Sequence, residues 1–324
     1  MAHTILITGG AGYIGGITTE TLHKEGFNLV VLDDLSTGHK ENLFKDFPFY
    51  NGKIGDVDIL KKIFSENKID LVIHMAGAAL VKESMLNPQK YFDINFCQGE
   101  NLLDVMNLFG VKKIVFSSSC AVYGIPKESD IPINEDVQTK PVNPYGESKL
   151  LFEKALEWHK KSNDLDYISL RYFNVAGSSD TRGENHSPET HLIPLVVKAA
   201  KDPGYKLNVF GNDYPTKDGT VIRDYIHIID LANAHICAIN TLIKGEKHQS
   251  TYNVGYGQGY SVLEIVNAAK EVLKKEINYV ISERREGDPP VLIADTRKIQ
   301  HDLNWKPRYN NIHEIISSAS RFTN

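Results

Sequence analysis

Tyr145 and Lys149 are the two residues whose types and spacing best suit proton transfer. They lie four residues apart in a segment that follows Pro144 and is predicted to be helical, so both side chains project from one helix face. A free tyrosine has a pKa of about 10, and a nearby ammonium together with the cationic ring of a bound cofactor favours the phenolate and lowers that pKa. We therefore predict that Tyr145 exchanges a proton with a bound alcohol. In isolation, most tyrosine–lysine pairs at this spacing are surface pairs, so this interpretation needs support from the rest of the chain.

A glycine-rich loop near the N-terminus gives that support. A short apolar strand predicted at residues 5–7 leads into it, and a helix-like stretch over residues 13–25 follows it, which is the context of a phosphate-binding loop. Gly9 permits the tight turn, Gly12 lets the backbone approach a pyrophosphate, and Gly15 allows close packing of helix and strand. The free N–H groups of the helix N-terminus would face the phosphates.

Asp33 is the second sign of a dinucleotide. It ends the apolar run 28–32 and lies 24 residues after Gly9. An acidic residue at the tip of the second strand accepts hydrogen bonds from the adenosine ribose and repels a 2′-phosphate, so we predict NAD rather than NADP. Taken alone, Asp33 and Asp34 would equally suit the start of an ordinary loop.

Three consecutive serines, Ser117 to Ser119, stand at the end of another apolar strand, predicted at residues 113–117. They would bring hydroxyl groups into the crevice where the ligand is expected. One of them would share the reacting proton with Tyr145. The alternative interpretation is a plain polar turn, because serine is common in such turns.

Size and composition narrow the classes of protein. The chain has 324 residues, of which 41% are hydrophobic and 24% charged, as in an ordinary globular protein of one large or two closely packed domains. Its net charge of −5 argues against a nucleic-acid binder. No apolar stretch approaches the length of about 20 residues that a membrane helix needs, and the chain enters a strand at once, so we expect neither a membrane span nor a secretory signal.

Strand and helix patterns alternate along the first half of the chain. Such alternation predicts right-handed βαβ units and a parallel sheet whose carboxyl edge forms the ligand crevice. The expected fold class is α/β, a Rossmann-type doubly wound parallel sheet with a smaller, loop-rich C-terminal substrate lobe. The strands are predicted at residues 5–7, 28–32, 53–57, 69–74 and 113–117, and the helices at residues 13–25, 58–67 and 88–109.

The pattern loosens beyond Tyr172, where polar and turn-rich segments become frequent. The apolar stretch 226–243 is predicted to be helical and to return to the sheet domain. We therefore expect an interleaved boundary, with residues 1–174 and about 221–243 forming the NAD-binding domain. Residues 175–220 and 244–324 would form the nucleotide-sugar-binding lobe.

Together these segments resemble the extended short-chain dehydrogenase/reductase superfamily and, within it, the UDP-glucose 4-epimerase family. The resemblance covers nearly the whole chain. Its early motifs are shared by many members of the superfamily, whereas the block 210–227 is particular to the epimerases. The segments that carry it are 9–15, 74–77, 116–119, 143–149, 171–174, 210–220, 223–227 and 284–288.

The resemblance implies a role for each matching residue. Tyr145 would be the catalytic acid and base, Lys149 would tune it and bind the nicotinamide ribose, and Ser119 would assist. All three would also contact the cofactor. The other residues expected to bind NAD are Gly9, Gly12, Tyr13, Ile14, Gly15, Asp33, Asp34, Leu35, Ser36, Thr37, Gly38, Asp56, Val57, Met75, Ala76, Gly77, Ala78, Ala79, Asn95 and Phe173.

A second set would hold the UDP-sugar. Within it, Arg223 and Arg285 suit bidentate contacts to a diphosphate, and Asp288 suits a ribose hydroxyl. Ser119 and Tyr145 would contact the reacting sugar. The remaining residues of this set are Asn174, His191, Leu192, Asn208, Val209, Phe210, Tyr225 and Leu292.

The chain departs from the family pattern at several positions. Ala79 stands where a lysine is frequent, Ala121 replaces a frequent threonine near the reacting sugar, and His191 stands where asparagine is frequent. Ile94 occupies the place of a cofactor-binding asparagine, with Asn95 next to it. None of these changes removes the core chemistry.

The resemblance implies an NAD-dependent isomerase of galactose metabolism that interconverts UDP-glucose and UDP-galactose through a 4-keto intermediate. Alternatives remain open: an epimerase of UDP-N-acetylglucosamine or UDP-glucuronate, a dehydratase or decarboxylase on the same scaffold, or a non-enzymatic NAD sensor. Because Leu292 is smaller than the tyrosine of some members, an N-acetyl group on the sugar would fit the pocket. No carboxylate follows Ser119, which argues against elimination.

The expected partners are a UDP-sugar and a second copy of the chain, without nucleic acid or membrane. The homodimer would use the helices after Asp93 and Pro144, although their apolar residues could equally be internal core. The residues that could supply the apolar stripes are Leu102, Leu103, Met106, Leu150 and Leu156.

Cysteine and histidine spacing gives no sign of metal. Cys97, Cys120 and Cys237 lie far apart, which predicts reduced, buried thiols in a cytoplasmic protein. The histidines at 186 and 191 form no recognised ligand set with cysteine or carboxylate, so we expect no bound metal.

Overall fold

The structure is a computed structural model that describes residues 3–44, 46–285, 287–309 and 311–323. The strands in chain order are β1 (Thr4–Thr8), β2 (Asn28–Asp33), β3 (Phe49–Asn51), β4 (Leu71–His74), β5 (Lys113–Ser119), β6 (Asp166–Tyr172), β7 (Asn174–Ala176), β8 (Leu207–Phe210), β9 (Ile222–His227), β10 (Thr251–Val254), β11 (Gly259–Ser261), β12 (Tyr279–Ser282) and β13 (Val291–Leu292). The helices are α1 (Tyr13–Lys24), α2 (Val57–Glu66), α3 (Val81–Leu86), α4 (Pro88–Phe92), α5 (Gln98–Leu108), α6 (Pro144–Asn163), α7 (Leu192–Lys201), α8 (Ile228–Lys244), α9 (Val262–Leu273), α10 (Arg297–Asp302) and α11 (Ile312–Ser320).

Seven strands form one parallel sheet in the order β3-β2-β1-β4-β5-β6-β10. Its central strands are apolar on both faces, and Ile5, Leu6 and Ile7 are fully buried, as in sheets covered by helices on both sides. The strand order reverses between β1 and β4. In sheets of this kind the ligand crevice opens at that reversal, beyond the carboxyl ends of the strands. The predicted Rossmann-type fold is confirmed.

Two apolar layers hold the helices against this sheet. On one face, Ile17 of α1 and Leu231 of α8 pack with Ile7 and other sheet residues. On the other face, Leu60 of α2 and residues of α5 and α6 pack with Leu6 and its neighbours. Each face therefore carries a continuous buried layer that fixes the helices that surround the crevice.

A second, smaller assembly forms the C-terminal lobe. In a four-stranded sheet, β9 pairs with β7, β11 and β13, and a separate parallel pair joins β8 to β12. Helices α7, α9 and α11 cover these strands around a core that includes Ile193, Val209 and Ile315. No helix in the described parts of the chain has the length and apolarity that a bilayer crossing requires.

Several predicted elements need correction. The strand predicted at 53–57 is wrong: the strand is β3 at Phe49–Asn51, and Asp56 instead caps α2 by accepting hydrogen bonds from the N–H groups of Asp58 and Ile59, both at 3.1 Å. The three serines lie inside β5 rather than in the turn after it. The helix predicted at 88–109 is α4 and α5, joined by a π-helical turn at Asp93–Cys97, and α3 was not predicted.

The sheets divide the chain differently from the predicted domains at two strands. Strand β9 lies in the segment 221–243, which was assigned to the NAD-binding domain, but it belongs to the small sheet. Strand β10 lies in the segment 244–324, which was assigned to the lobe, but it is an edge of the large sheet. The expected helix at 226–243 is a strand up to His227 and becomes helical only at Ile228. The division of the chain into two functional domains otherwise stays a prediction.

The apolar residues named for a dimer interface lie in the interior, so the alternative of internal core is correct. They are Leu102, Leu103, Met106, Leu150 and Leu156, each at most 6% exposed. The expectation of buried thiols is also corrected, because Cys97 is exposed and Cys120 and Cys237 are only partly buried. All three cysteines are free thiols.

Candidate functional site

The glycine-rich loop is tightly packed at Gly9 and Gly15, and it leaves free space in front of Gly12, which we call the cradle. A Cβ atom on Gly15 would lie 2.0 Å from the Gly9 carbonyl oxygen, and one on Gly9, whose φ is +77°, would lie 2.6 Å from the Ala76 nitrogen. A Cβ on Gly12 would meet only the Gly9 oxygen, at 3.5 Å. Packing therefore requires glycine at positions 9 and 15, whereas at Gly12 it leaves room in front of the backbone. No side chain caps the N-terminus of α1, so its N–H groups stay available to an anion.

Asp33 ties the end of β2 to this loop. Its Oδ2 accepts from the Ala11 N–H at 2.9 Å and its Oδ1 from the Leu35 N–H at 2.8 Å. Burial raises the pKa of Asp33, and these two hydrogen bonds oppose that rise. A Cβ on Gly38 would lie 2.9 Å from Asp33 Oδ1, which shows how closely the following loop returns to the carboxylate. Asp34, Ser36 and Thr37 belong to this loop.

The loop after β4 is held by Asn95. Its Oδ1 accepts from the Ala78 N–H at 2.8 Å, and its Nδ2 donates to the Ala78 carbonyl at 3.0 Å and to Ser148 Oγ at 2.9 Å. Asn95 thus joins this loop to α6, in addition to its predicted part in cofactor binding. A Cβ on Gly77 would lie 3.5 Å from Lys149 Nζ, so the loop passes directly beside the predicted catalytic lysine. Met75, Ala76 and Ala79 belong to the same loop.

Other predicted cofactor residues have partners within the chain. Tyr13 donates its hydroxyl to the Gly177 carbonyl at 2.7 Å, so its backbone N–H is the group left to face a ligand. Ile14 is partly buried against the core layer that contains Ile17. Asp56 lines a cleft of about 650 Å³ beside α5, next to Val57 at the start of α2.

Tyr145 lies in the first turn of α6. Asn143 caps this helix by accepting from the Gly146 N–H at 2.8 Å, and Pro144 occupies the first turn, where a missing N–H costs nothing. A Cβ on Gly146 would lie 2.5 Å from the Ala121 oxygen, so glycine is needed for the segment after β5 to approach the helix. This approach brings the Ser119 side chain close enough to Tyr145 to lower the pKa of the phenol.

In the chain alone, burial dominates the pKa of both Tyr145 and Lys149. Burial raises the pKa of Tyr145 well above its usual value, and Ser119 opposes that rise. Burial also lowers the pKa of Lys149 to about 8, and its Nζ donates to the Ser117 carbonyl at 2.9 Å. The predicted lowering of the tyrosine pKa requires a cationic nicotinamide as well as Lys149, and it stays a prediction.

Glu153 is a site residue that the sequence analysis missed. It follows Lys149 by one helical turn, is 7% exposed, and opposes the burial that lowers the pKa of Lys149. It pairs with Arg171 of β6 through two hydrogen bonds, Nη2 to Oε2 at 2.6 Å and Nε to Oε1 at 2.9 Å, and accepts from Ser118 Oγ at 2.5 Å. The available signal was the spacing of four residues between Tyr145, Lys149 and Glu153.

Two arginines and a carboxylate form a polar cluster in the lobe. Arg223 is 8% exposed and forms an ion pair with Asp288, while its Nη1 donates to the Ile222 carbonyl at 2.7 Å. The Arg285 guanidinium stacks 4.0 Å from the centroid of the Phe210 ring. Burial lowers the pKa of Arg285, and Arg223 adds to that effect while Asp288 opposes it, so the three charges are neighbours. Such an arrangement suits a diphosphate held by planar guanidinium groups.

The small sheet sets the other predicted substrate residues around this cluster. Leu292 of β13 pairs in register with Arg223, and Asn174 of β7 with Tyr225. Tyr225 is buried, and Arg223 and Asp288 both influence its hydroxyl. Asn208 lies on the exposed side of β8 and accepts from Ser282 Oγ at 3.2 Å.

The surroundings of five other predicted contact residues limit or define what they can meet. The Val209 side chain lies in the lobe core at 1% exposure, so only its backbone can meet a ligand. Phe173 and Leu292 pack in one cluster with Val122, between the serine strand and the small sheet. Leu192 begins α7, and His191 turns its Nδ1 towards Glu184 and Glu189, at 2.7 and 2.8 Å.

Comparison with known proteins shows the family to which the chain belongs. The family model of the NAD dependent epimerase/dehydratase family matches residues 5–255. The UDP-glucose 4-epimerase of Lacticaseibacillus casei is 47% identical over 98% of this chain and 95% of its own length. The crystal structure of the Brucella ovis UDP-glucose 4-epimerase with NAD aligns with a TM-score of 0.94 at 39% identity, covering 99% of this chain and 98% of that one.

The crystal structure of the Bifidobacterium longum UDP-glucose 4-epimerase with NAD+ and UDP aligns with a TM-score of 0.92 at 37% identity, covering 98% of this chain and 97% of that one. The matches therefore span both the large sheet and the lobe. By its sequence and its fold, the chain belongs to the NAD dependent epimerase/dehydratase family, among the UDP-glucose 4-epimerases.

Proposed function

We propose that the chain is an NAD-dependent isomerase that interconverts UDP-glucose and UDP-galactose by inverting the configuration at C4. The observation that supports this most directly is the placement of the partly buried Tyr145 and the buried Lys149 on α6, with Lys149 beside the loop at Gly77 and Ser119 close enough to influence the phenol. The open cradle at Gly12 and the uncapped helix α1 fit the pyrophosphate of the cofactor.

The residues of the large sheet would hold NAD, with Asp33 at the adenosine ribose and Lys149 at the nicotinamide ribose. When bound, NAD supplies a ring that accepts hydride from C4 of the sugar and returns it to the other face. Tyr145 would take the proton of the 4-hydroxyl and give it back, and Ser119, whose Oγ accepts from the Ala121 N–H at 3.2 Å, would turn its own proton from the phenol to the sugar oxygen once the substrate is bound.

Most polar contacts of the protein would be made with the nucleotide rather than with the sugar. Arg223 and Arg285 would bind the diphosphate, and Asp288 would accept from the uridine ribose once the nucleotide separates it from Arg223. Apart from the reacting contacts of Tyr145 and Ser119, the sugar itself would meet mainly Leu292, which carries no polar side-chain group. A 4-keto sugar could then rotate while its diphosphate stays anchored.

We also propose that the chain works in the cytoplasm as a homodimer joined through α5 and α6. Since the residues first named for this surface are internal, the contact would use exposed apolar side chains on these two helices, such as Leu108 at 65% and Trp158 at 67% exposure. Light scattering after gel filtration tests the dimer, and a monomer at micromolar concentration would contradict it.

Conversion of UDP-galactose by the purified protein with added NAD tests the proposed activity. We expect UDP-glucose as the product, separated by anion-exchange chromatography. UDP-glucuronate and UDP-N-acetylglucosamine assayed in parallel distinguish the related epimerases. A protein that binds NAD but converts none of these sugars would instead be a sensor.

Glu153→Gln is expected to move the alkaline limb of the pH profile of kcat/KM to lower pH. The proposed reaction needs the ammonium form of Lys149, whose pKa is about 8, so activity falls as the pH rises through that value. Removing the Glu153 charge removes an influence that raises this pKa, and the limb therefore shifts downwards.

The matched control for that change is Glu157→Gln on the same helix, where the carboxylate is exposed and pairs with Lys161 at 2.6 Å. It should leave the profile unchanged, since exposed pairs contribute only about 0–1 kcal/mol. Loss of the Arg171 partner will also destabilise Glu153→Gln, so the assay is run well below its melting temperature. An unshifted alkaline limb would show that Glu153 does not act on Lys149.

Leu292 gives a prediction about the sugar range. We expect wild-type protein to convert UDP-N-acetylglucosamine, because leucine leaves room for the acetyl group. Leu292→Tyr should abolish that conversion and keep the conversion of UDP-galactose. Its thermal midpoint must be measured alongside, because extra volume in this packed cluster costs about 1–3 kcal/mol. Absence of acetylated product from the wild-type protein would contradict the prediction.

A further inference from the structure

A cluster of four potential metal ligands lies in the loop between β7 and α7. Glu184, His186, Glu189 and His191 each offer one possible ligand atom, and these four atoms all lie within 4.8 Å of one another. The histidine spacing alone predicted no metal. The fold adds two carboxylates that the sequence analysis did not pair with the histidines.

The distances in this cluster are close to those of a tetrahedral site. Glu184 Oε1 lies 3.0 Å from His186 Nδ1 and 2.7 Å from His191 Nδ1, and Glu189 Oε1 lies 2.8 Å from His191 Nδ1. Zinc bonds of about 2.0–2.1 Å to nitrogen and oxygen set ligand atoms roughly 3.3 Å apart in a tetrahedron. Admitting the ion therefore requires these three contacts to open by about 0.3–0.6 Å and the wider pairs of the cluster, which reach up to 4.8 Å, to close.

An unpartnered buried oxygen is the second observation. The Glu184 side chain is 4% exposed, and its Oε2 has no hydrogen-bond partner in the described part of the chain. A buried carboxylate oxygen without a partner is costly. A divalent cation beside this carboxylate would compensate the charge of both its oxygens.

A proton is the competing occupant. Although burial opposes it, hydrogen bonding to Glu184 and Glu189 raises the pKa of His191 to about 10, so the cluster could persist as ion pairs around a charged imidazole. That arrangement leaves Glu184 Oε2 unpartnered. It also leaves a single His191 N–H facing two carboxylates.

We propose that Glu184, His186, Glu189 and His191 form a structural site for a divalent first-row metal ion, with Zn²⁺ the best match. Two imidazole nitrogens and two carboxylate oxygens are ligands that zinc accepts, and four protein ligands close the tetrahedron as in structural rather than catalytic sites. The ion would replace the proton on His191.

The position of the cluster indicates what the ion would stabilise. The His186 ring contacts the Tyr13 ring edge-on, with centroids 6.1 Å apart, at the start of α1. The carbonyl of Asn185 lies 3.1 Å from His39 Nε2, in the segment after β2. His191 immediately precedes Leu192 and α7. The ion would therefore stabilise the loop between β7 and α7, which contacts the start of α1 and leads into the lobe.

Zinc binding to the whole protein tests the proposal without any assay of activity. The protein is treated with EDTA, dialysed and titrated with ZnCl₂ by calorimetry, and Co²⁺ is added separately to read coordination from its visible absorption. We expect one Zn²⁺ per chain and the strong absorption of tetrahedral cobalt. Glu184→Gln and His186→Ala should each weaken zinc binding by at least about tenfold.

The control is His313→Ala, because His313 pairs with a single glutamate, Glu271 at 3.0 Å, which does not belong to the cluster. It should bind zinc as the wild type does. If the ligand variants fail to fold, the stoichiometry and the cobalt spectrum of the wild-type protein still decide. Absence of stoichiometric zinc binding, or binding unchanged in Glu184→Gln and His186→Ala, would assign the cluster to proton-held ion pairs.

Discussion

Tyr145→Phe is expected to lower kcat for UDP-galactose by about 10²–10⁴-fold, the usual effect of removing a general acid–base group. The phenylalanine ring fills the same space at the start of α6, so folding and NAD binding should persist. The loss should appear in kcat rather than KM, because the proposed contacts of the nucleotide lie on Arg223 and Arg285. Initial rates with NAD saturating measure both constants.

Tyr91→Phe is the matched control for this change. The Tyr91 ring contacts Tyr145 edge-on at a centroid distance of 6.4 Å, but its hydroxyl is engaged elsewhere, with the Leu80 carbonyl at 2.6 Å and with Glu83 at 2.9 Å. It should keep most of the wild-type kcat. Wild-type turnover by Tyr145→Phe would remove the phenol from the proposed mechanism.

We expect Gly15→Ala to lose stability and Gly12→Ala to lose NAD affinity. A methyl group on Gly15 would collide with the Gly9 oxygen, 2.0 Å away, and the clash is with backbone that cannot turn aside. We expect this variant to be destabilised by at least about 1–3 kcal/mol. A methyl group on Gly12 meets its nearest neighbour at 3.5 Å, so that variant should fold normally and lose NAD affinity instead.

Thermal unfolding without cofactor and NAD titration by calorimetry separate the two effects. Gly12→Ala should melt near the wild-type temperature and bind NAD weakly. Gly15→Ala should melt well below it. Equal melting temperatures for the two variants, or wild-type NAD affinity in Gly12→Ala, would show that the space at Gly12 is not a phosphate cradle.

Local sequence signals predicted the part of the site that depends on chain neighbours. The turn at Gly9, the packing at Gly15, the carboxylate of Asp33 and the shared face of Tyr145 and Lys149 all follow from short spacings, and the structure has each of them. The parallel sheet was predicted from the alternation of strand-type and helix-type hydrophobic patterns along the chain, and each of these patterns is also a local signal.

These local sequence signals could not predict interactions between segments that lie far apart along the chain. The partners of Glu153 come from β5 and β6, so a buried pair with Arg171 cannot be read from one helix. The direction of the Tyr145 pKa in the chain alone depends on burial by the whole fold, which no local spacing reveals. The strand expected at 53–57 is a different kind of error, because Asp56 caps α2 and aspartate is a preferred N-cap residue, so this signal was present in the sequence.

The most direct test of the central claim follows the C4 hydrogen of the sugar. UDP-galactose carrying deuterium at C4 is incubated in ordinary water with the protein and NAD, and the product is analysed by mass spectrometry. The account predicts UDP-glucose that retains the deuterium, because the hydrogen leaves and returns within one closed site while only the hydroxyl proton passes through Tyr145. UDP-glucose with hydrogen from water at C4 would contradict it.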